Sequence, residues 1–282
     1  MTASAPHRLA RVRPLSSTVA DEHFFVANDA PDFGSDAGRS WTVVDSPFEA
    51  SRANANHPAR PGWETGTVVD QESFTFLAPS VPANVFGMAH NTGQAGRNLP
   101  PQAFHKAASS VIGPGDAIEL SSTVGYVDPE AELTVVVGRT VRGLTLETAR
   151  SAILGFTIGN DVSARDLQKS DELWISAKSQ DTFTPVGPWI VTDLDDSDLA
   201  ISMVHNGAEL KAASSADLGW KVDEILVYLS SFMTLHAGDL VLTGFPAECA
   251  RIQPGDTVLC RVEGIGELRN PVKAASWEET PA

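Results

Sequence analysis

Three segments of the chain repeat one local instruction. Gly115-Asp116-Ala117-Ile118-Glu119-Leu120, Gly238-Asp239-Leu240-Val241-Leu242-Thr243 and Gly255-Asp256-Thr257-Val258-Leu259-Cys260 each set a Gly-Asp pair before an aliphatic or β-branched run. Glycine tolerates the turn conformation, aspartate bonds its own backbone, and the run that follows suits a pleated strand. Further strands are expected at His23–Ala27, Ser40–Val44, Glu132–Val137 and Trp189–Thr192. Only two stretches carry helical spacing. Thr145 can cap a helix over Leu146–Leu154, with Leu146, Ala149 and Ile153 on one face and Gly155 as its stop. Lys221–Phe232 places Val222, Ile225, Leu226 and Leu229 on one stripe. Strands that outnumber helices, without strict alternation, predict an α+β, mainly β fold.

The first 84 residues read as a small β-rich N-terminal section and residues 85–282 as a second, more regular domain. Pro79 and Pro82 mark the boundary, and turn-forming clusters such as Asn28–Asp32 and Ala53–Pro58 fill the earlier part. Met1–Arg13 carries His7, Arg8, Arg11 and Arg13 with no apolar run behind it, and reads as a loose arm rather than a secretion signal. No apolar stretch is long enough to span a bilayer, so a cytoplasmic protein without membrane contact is expected. The formal net charge of −16 argues against nucleic acid as a partner, because phosphate contacts need a basic face. Cys249 and Cys260 are too few for a four-cysteine zinc site and are expected to be buried free thiols.

Three polar segments remain. In Asp128-Pro129-Glu130-Ala131-Glu132-Leu133-Thr134, a strand would put Glu130, Glu132 and Thr134 on one face. Two like charges so close need compensation, which on an open surface is simply water. In Asn160-Asp161-Val162-Ser163-Ala164-Arg165-Asp166-Leu167-Gln168, Asp161 ends an apolar strand, with Arg165 and Gln168 within two turns. Asp161 beside the glutamate pair would complete an all-oxygen site for a hard divalent cation such as Mg²⁺ or Mn²⁺. In Trp174–Pro188, Lys178 stands between aromatic residues and a Gly-Pro corner. Alone, each segment also fits an ordinary polar surface.

Taken in order, these segments, with Asn206-Gly207, Gly238-Asp239…Thr243-Gly244 and Glu263-Gly264-Ile265-Gly266, resemble the fumarylacetoacetate hydrolase family over roughly Val85 to Val272. The resemblance implies a mixed β-roll of the C-terminal type and usually a homodimer. It implies Mg²⁺, Mn²⁺ or Ca²⁺ held by Glu130, Glu132 and Asp161. Arg165, Gln168 and Lys178 match substrate-holding positions, and Thr243 matches a threonine that contacts a substrate carboxylate. The substrate class implied is a small 2-oxo or 2,4-dioxo acid. The reaction expected first is C–C bond hydrolysis or decarboxylation through a metal-stabilised enolate. Keto–enol tautomerisation or double-bond isomerisation is the alternative, and a catalytically silent ligand-binding member is a third reading.

The sequence departs from the family at one informative place. The family's water-activating histidine and glutamate fall at Gly93 and Gly96 in Gly87-Met88-Ala89-His90-Asn91-Thr92-Gly93-Gln94-Ala95-Gly96. His90, three residues earlier, is the substitute base considered first, and His105 the second. Catalytic roles are therefore assigned to Lys178 and His90. Asn91–Pro101, with two glycines and two prolines, reads as a mobile loop over the site. Phe245 and Glu248 stand where the family often has small residues and are expected to reshape the pocket.

Overall fold

The computed structural model describes residues 7–19, 21–30, 36–48, 60–245 and 247–275. The Ala53–Pro58 cluster lies outside them. The expected class holds: the chain is mainly β, with two mixed sheets and short helices. The larger sheet runs from Val68–Asp70 through Ser40–Val44, Phe24–Asn28 and Arg8–Pro14 to Thr184–Val191. It continues through Ile153–Asn160, Ala131–Val137, Leu240–Leu242 and Val85–Ala89 to Gln102–Lys106. Neighbours along this path are antiparallel except Leu240–Leu242 beside Val85–Ala89, which are parallel. The sheet is thus continuous across residue 84, through the pairs Arg8↔Val191 and Leu9↔Ile190. The arm expected to be loose is strand from Arg8 onward, with Leu9, Ala10 and Val12 buried against the rest of the sheet; residues 1–6 lie outside the described residues.

The second sheet carries Ala208–Glu209, Ala200–His205, Thr257–Val262, Gly266–Ala274 and Ile118–Leu120. Ala131–Val137 is buried on both faces, which explains the apolar and β-branched run from Leu133 to Val137. Each Gly-Asp turn leads into a strand as expected, at Ile118–Leu120, Leu240–Leu242 and Thr257–Val262.

The two helix expectations fared differently. Val222–Phe232 forms with Lys221 as its N-cap residue and Val222, Ile225, Leu226 and Leu229 buried. The first helix stops at Ala149, followed by a single 3₁₀ turn over Arg150–Ala152. Ile153, Leu154 and Gly155 belong to strand Ile153–Asn160 instead. Pairing with both Ala131–Val137 and Thr184–Val191 outweighs the weak local helical stripe. Asn91–Pro101 is also more regular than expected, since Gly93–Arg97 forms one helical turn.

Candidate active site

The register of two ladders builds the site. Ala131 pairs with Asn160 and Glu132 with Gly159, so the acidic segment lies beside the strand that ends at Asp161. The Asn160 side chain accepts from the Glu130 N–H at 3.0 Å, and the Asp161 N–H donates to the Glu130 carbonyl at 2.9 Å. A two-residue ladder, Val127–Asp128 against Ser163–Ala164, adds Asp128 and Ser163. Ala164 then opens the short helix Arg165–Ser170, which carries Arg165 and Gln168. Lys178 closes the helical turn Ile175–Lys178.

One carboxylate oxygen from each of Glu130, Glu132 and Asp161 lies within 4.8 Å of the others. Glu132 and Asp161 are buried and Glu130 is partly exposed. Asp161 is bracketed by two ammonium groups. Lys106 Nζ donates to its Oδ1 at 2.5 Å, and Lys178 Nζ donates to its Oδ2. Lys178 also donates to Glu130 Oε2 at 3.0 Å and Ser163 Oγ at 2.6 Å, with the Phe104 ring 4.6 Å away. Arg165 donates from Nε to Asp128 Oδ1 at 2.7 Å and from Nη1 to Gln168 Oε1 at 3.0 Å; its Nη2 pairs with Glu130 Oε1 at 2.7 Å.

Glu132 is different. Its Oε2 accepts from the Gly244 N–H at 2.6 Å, and among the described residues no cation lies within ion-pair distance of it. Burial, with Asp161 and Glu130 close by, pushes its pKa well above the usual carboxylate range. Burial also pushes Asp161 up, but Lys106 and Lys178 overcome this and hold it below that range. Burial opposes charge on Lys178, yet Asp161 and Glu130 raise its pKa, so it stays an ammonium. Burial lowers the Lys106 pKa against the pull of Asp161. Four acids, Asp128, Glu130, Glu132 and Asp161, thus face three cations, and the one without a cation, Glu132, is buried. An oxygen-rich donor set with an unbalanced buried carboxylate fits a hard divalent ion.

A cleft of about 430 Å³ opens onto this cluster. Arg165, Gln168 and Lys178 line it with the three acids, as does His90. Met88, Phe104, Trp174 and Phe245 form its apolar wall. His90 and Trp174 both have left-handed backbones, with φ of 56° and 60°, and their rings meet edge to face at 5.6 Å. Non-glycine residues seldom adopt this conformation, and such residues cluster at functional sites.

His105 faces elsewhere: it is exposed and packs on Phe86, because strand alternation gives the site face to Phe104 and Lys106. Thr243 is buried, donates its hydroxyl to the Leu133 carbonyl at 2.8 Å and does not line the cleft. The Thr-Gly turn reaches the acids through the Gly244 N–H instead. Sequence reasoning missed Lys106, Asn91 and Asp128. Lys106 had a signal in the strand alternation of Gln102–Lys106; a lysine two residues from Phe104 shares its face.

At Gly96 a Cβ would stand 2.2 Å from the His90 carbonyl oxygen, which closes that dyad position to a side chain; at Gly93 the space is open, and only the left-handed φ of +55° disfavours one.

A family model described as fumarylacetoacetate (FAA) hydrolase C-terminal matches residues 80–273. This chain belongs to that family. It is 41% identical over 231 residues to Protein Rv2993c of Mycobacterium tuberculosis, covering 79% of this chain and 87% of that one. It is 34% identical over 224 residues to the mitochondrial oxaloacetate tautomerase FAHD2A of Bos taurus, covering 73% of this chain and 71% of that one. A crystal structure of 2-hydroxyhepta-2,4-diene-1,7-dioate isomerase from Mycobacterium marinum superposes with a TM-score of 0.81 at 35% identity, over 95% of this chain and 99% of that one.

Proposed function

We propose that this protein is a divalent-metal-dependent tautomerase or double-bond isomerase of a small 2-oxo acid, using Glu130, Glu132 and Asp161 for the ion. The observation that carries the reading is the three-carboxylate cluster in which Glu132 is buried with no cation within ion-pair distance among the described residues, in a cleft lined by Arg165 and Lys178. A bound Mg²⁺ or Mn²⁺ would supply Lewis-acid polarisation of a substrate carbonyl. Arg165 and Lys178 offer positive charge to the substrate's carboxylate and to charge that develops on its oxygen. Gln168, whose Oε1 is held by Arg165, turns its amide N–H groups to a substrate oxygen. Lys178, paired with Asp161 and Glu130, donates a proton or holds charge. His90 lines the same cleft and is assigned the proton at carbon.

Isomerisation is preferred to hydrolysis because C–C hydrolysis requires an activated water. The usual histidine and glutamate are glycines here, and the backbone at both positions disfavours a side chain. Relatives named as an oxaloacetate tautomerase and a dienedioate isomerase agree with this choice.

The test is a panel of oxaloacetate and acylpyruvates given to chelator-stripped protein before and after Mn²⁺. Metal-restored loss of enol absorbance with the carbon skeleton intact is expected; appearance of two fragments would make it a hydrolase or lyase. His90→Gln is expected to slow enol turnover about 10²-fold, the scale of a positioned proton-transfer group, with Mn²⁺ affinity unchanged.

A further inference from the structure

The carbonyl of Thr243 and the N–H of Gly244 are the two ends of one peptide group. The N–H end donates to Glu132 Oε2 at 2.6 Å. The carbonyl end accepts from Asn91 Nδ2 at 2.7 Å. A hydrogen bond to the carbonyl polarises the peptide and makes its N–H a stronger donor. Asn91 is buried, and its side chain is spent on two partners. Nδ2 also donates to the Trp220 carbonyl at 3.0 Å, and Oδ1 accepts from the Trp220 N–H at 2.6 Å. With both N–H groups and the oxygen engaged, the amide has one orientation.

We propose that Asn91 is a positioning residue: through the 243–244 peptide it holds the Glu132 carboxylate in place for the divalent ion. The inference rests on the metal reading proposed for the site. Asn91 sits two residues before the Gly93–Arg97 turn, next to its N-cap residue Thr92. That turn is docked by a second set of contacts. Arg97 lies 4.1 Å over the Trp220 ring and pairs with Glu224 at 2.8 Å, and the Trp220 indole donates to the Leu99 carbonyl at 3.1 Å. Thr92 Oγ1 donates to the Phe245 carbonyl at 2.9 Å. The fit also explains Gly244: with φ of +112°, a Cβ there would stand 2.9 Å from Asn91 Cβ. A residue displaced from the ion by one peptide group can be read separately from one that merely docks the segment.

The experiment uses the full chain as wild type, Asn91→Asp, Asn91→Ala and Arg97→Ala. Asn91→Asp keeps Oδ1 for the Trp220 N–H and removes both Nδ2 donors. Its added negative charge would by itself tighten cation binding, so weakening cannot be a charge effect. Two quantities are measured: Mn²⁺ affinity, from the free Mn²⁺ resonance signal, and the Gly244 amide shift and hydrogen exchange in metal-free protein. Both Asn91 variants should bind Mn²⁺ about tenfold more weakly, the lower end for a residue behind a metal ligand. Their Gly244 amide should move upfield and exchange about tenfold faster. Arg97→Ala should match wild type in both. Unchanged values in the Asn91 variants would overturn the proposal, as would an equal loss in Arg97→Ala. If wild type binds no Mn²⁺, the metal reading falls, and the metal role of Asn91 with it; the amide readout then decides whether Asn91 holds Glu132 at all. Should Asn91→Ala fail to fold, Asn91→Asp carries the test.

Discussion

Glu132 and Asp161 are buried carboxylates of one cluster, yet removing their charge should have opposite effects. Asp161 pairs with both Lys106 and Lys178, so Asp161→Asn strands the buried Lys106 ammonium and leaves Lys178 with Glu130 alone. It should destabilise the metal-free protein by about 3–5 kcal/mol, the cost of breaking a buried pair from one side. Glu132 has no such partner, so Glu132→Gln should stabilise the metal-free protein by about 1–3 kcal/mol at pH 7.5 while abolishing Mn²⁺ binding. Denaturant unfolding of both variants, with and without Mn²⁺, checks the pair. The pH dependence follows from the same asymmetry. The Glu132 pKa is raised above its unfolded value of about 4.5, so the folded state keeps a proton that the unfolded chain releases. Its contribution therefore favours folding less as pH rises from 4.5 towards the folded pKa. Mn²⁺ expels that proton, so the Mn²⁺-induced rise in Tm should be larger at pH 8 than at pH 5.5. The thiols give a simpler outcome. Burial pushes both up to about 12, with Asp128 adding to the effect at Cys249. Ellman's reagent at pH 8 should find no fast thiol in the native chain and two after unfolding.

At the scale of elements, the sequence was most readable where pattern and packing agree. Ser40–Val44 is a strand at the residues expected, and Val222–Phe232 is a helix because its stripe is the buried face. It was least readable where long-range pairing decides. Ile153 and Leu154 complete a helical stripe locally, but they extend a strand held by two neighbours. Glu130, Glu132, Asp161, Arg165 and Lys178 were legible as types in sequence order. Lys106 and Asn91 were not, since each gains meaning only from a partner at least 55 residues away. The glycines and prolines of Asn91–Pro101 predict a mobile loop, whereas Gly93–Arg97 is a helical turn. Gly96 is in fact a close-packing residue. Gly96→Ala should cost about 1–3 kcal/mol, since its Cβ would meet a backbone oxygen that cannot easily move. Thermal unfolding reads this directly.

For the molecule as a whole, one continuous sheet carries the N-terminal strands and the strands that present the acids. The site lies where strand ends meet: Glu130 at the start of Ala131–Val137, Asp161 just past Ile153–Asn160, and Gly244 just past Leu240–Leu242. Strand registers fix their relative positions, as the proposed metal site would require. A larger, more apolar cavity of about 970 Å³ lies elsewhere, beside Trp189 and Phe76, and none of the site residues lines it. Converging charges rather than size therefore single out the candidate site. No helix of the described residues is long and apolar enough to cross a membrane. The most direct test of the account is the rate of oxaloacetate enol–keto conversion by chelator-stripped protein, titrated with Mn²⁺, for wild type and Glu132→Gln. The account predicts that Mn²⁺ restores conversion in wild type and leaves Glu132→Gln at the uncatalysed rate. Full conversion without metal, or equal rescue of Glu132→Gln, would contradict it.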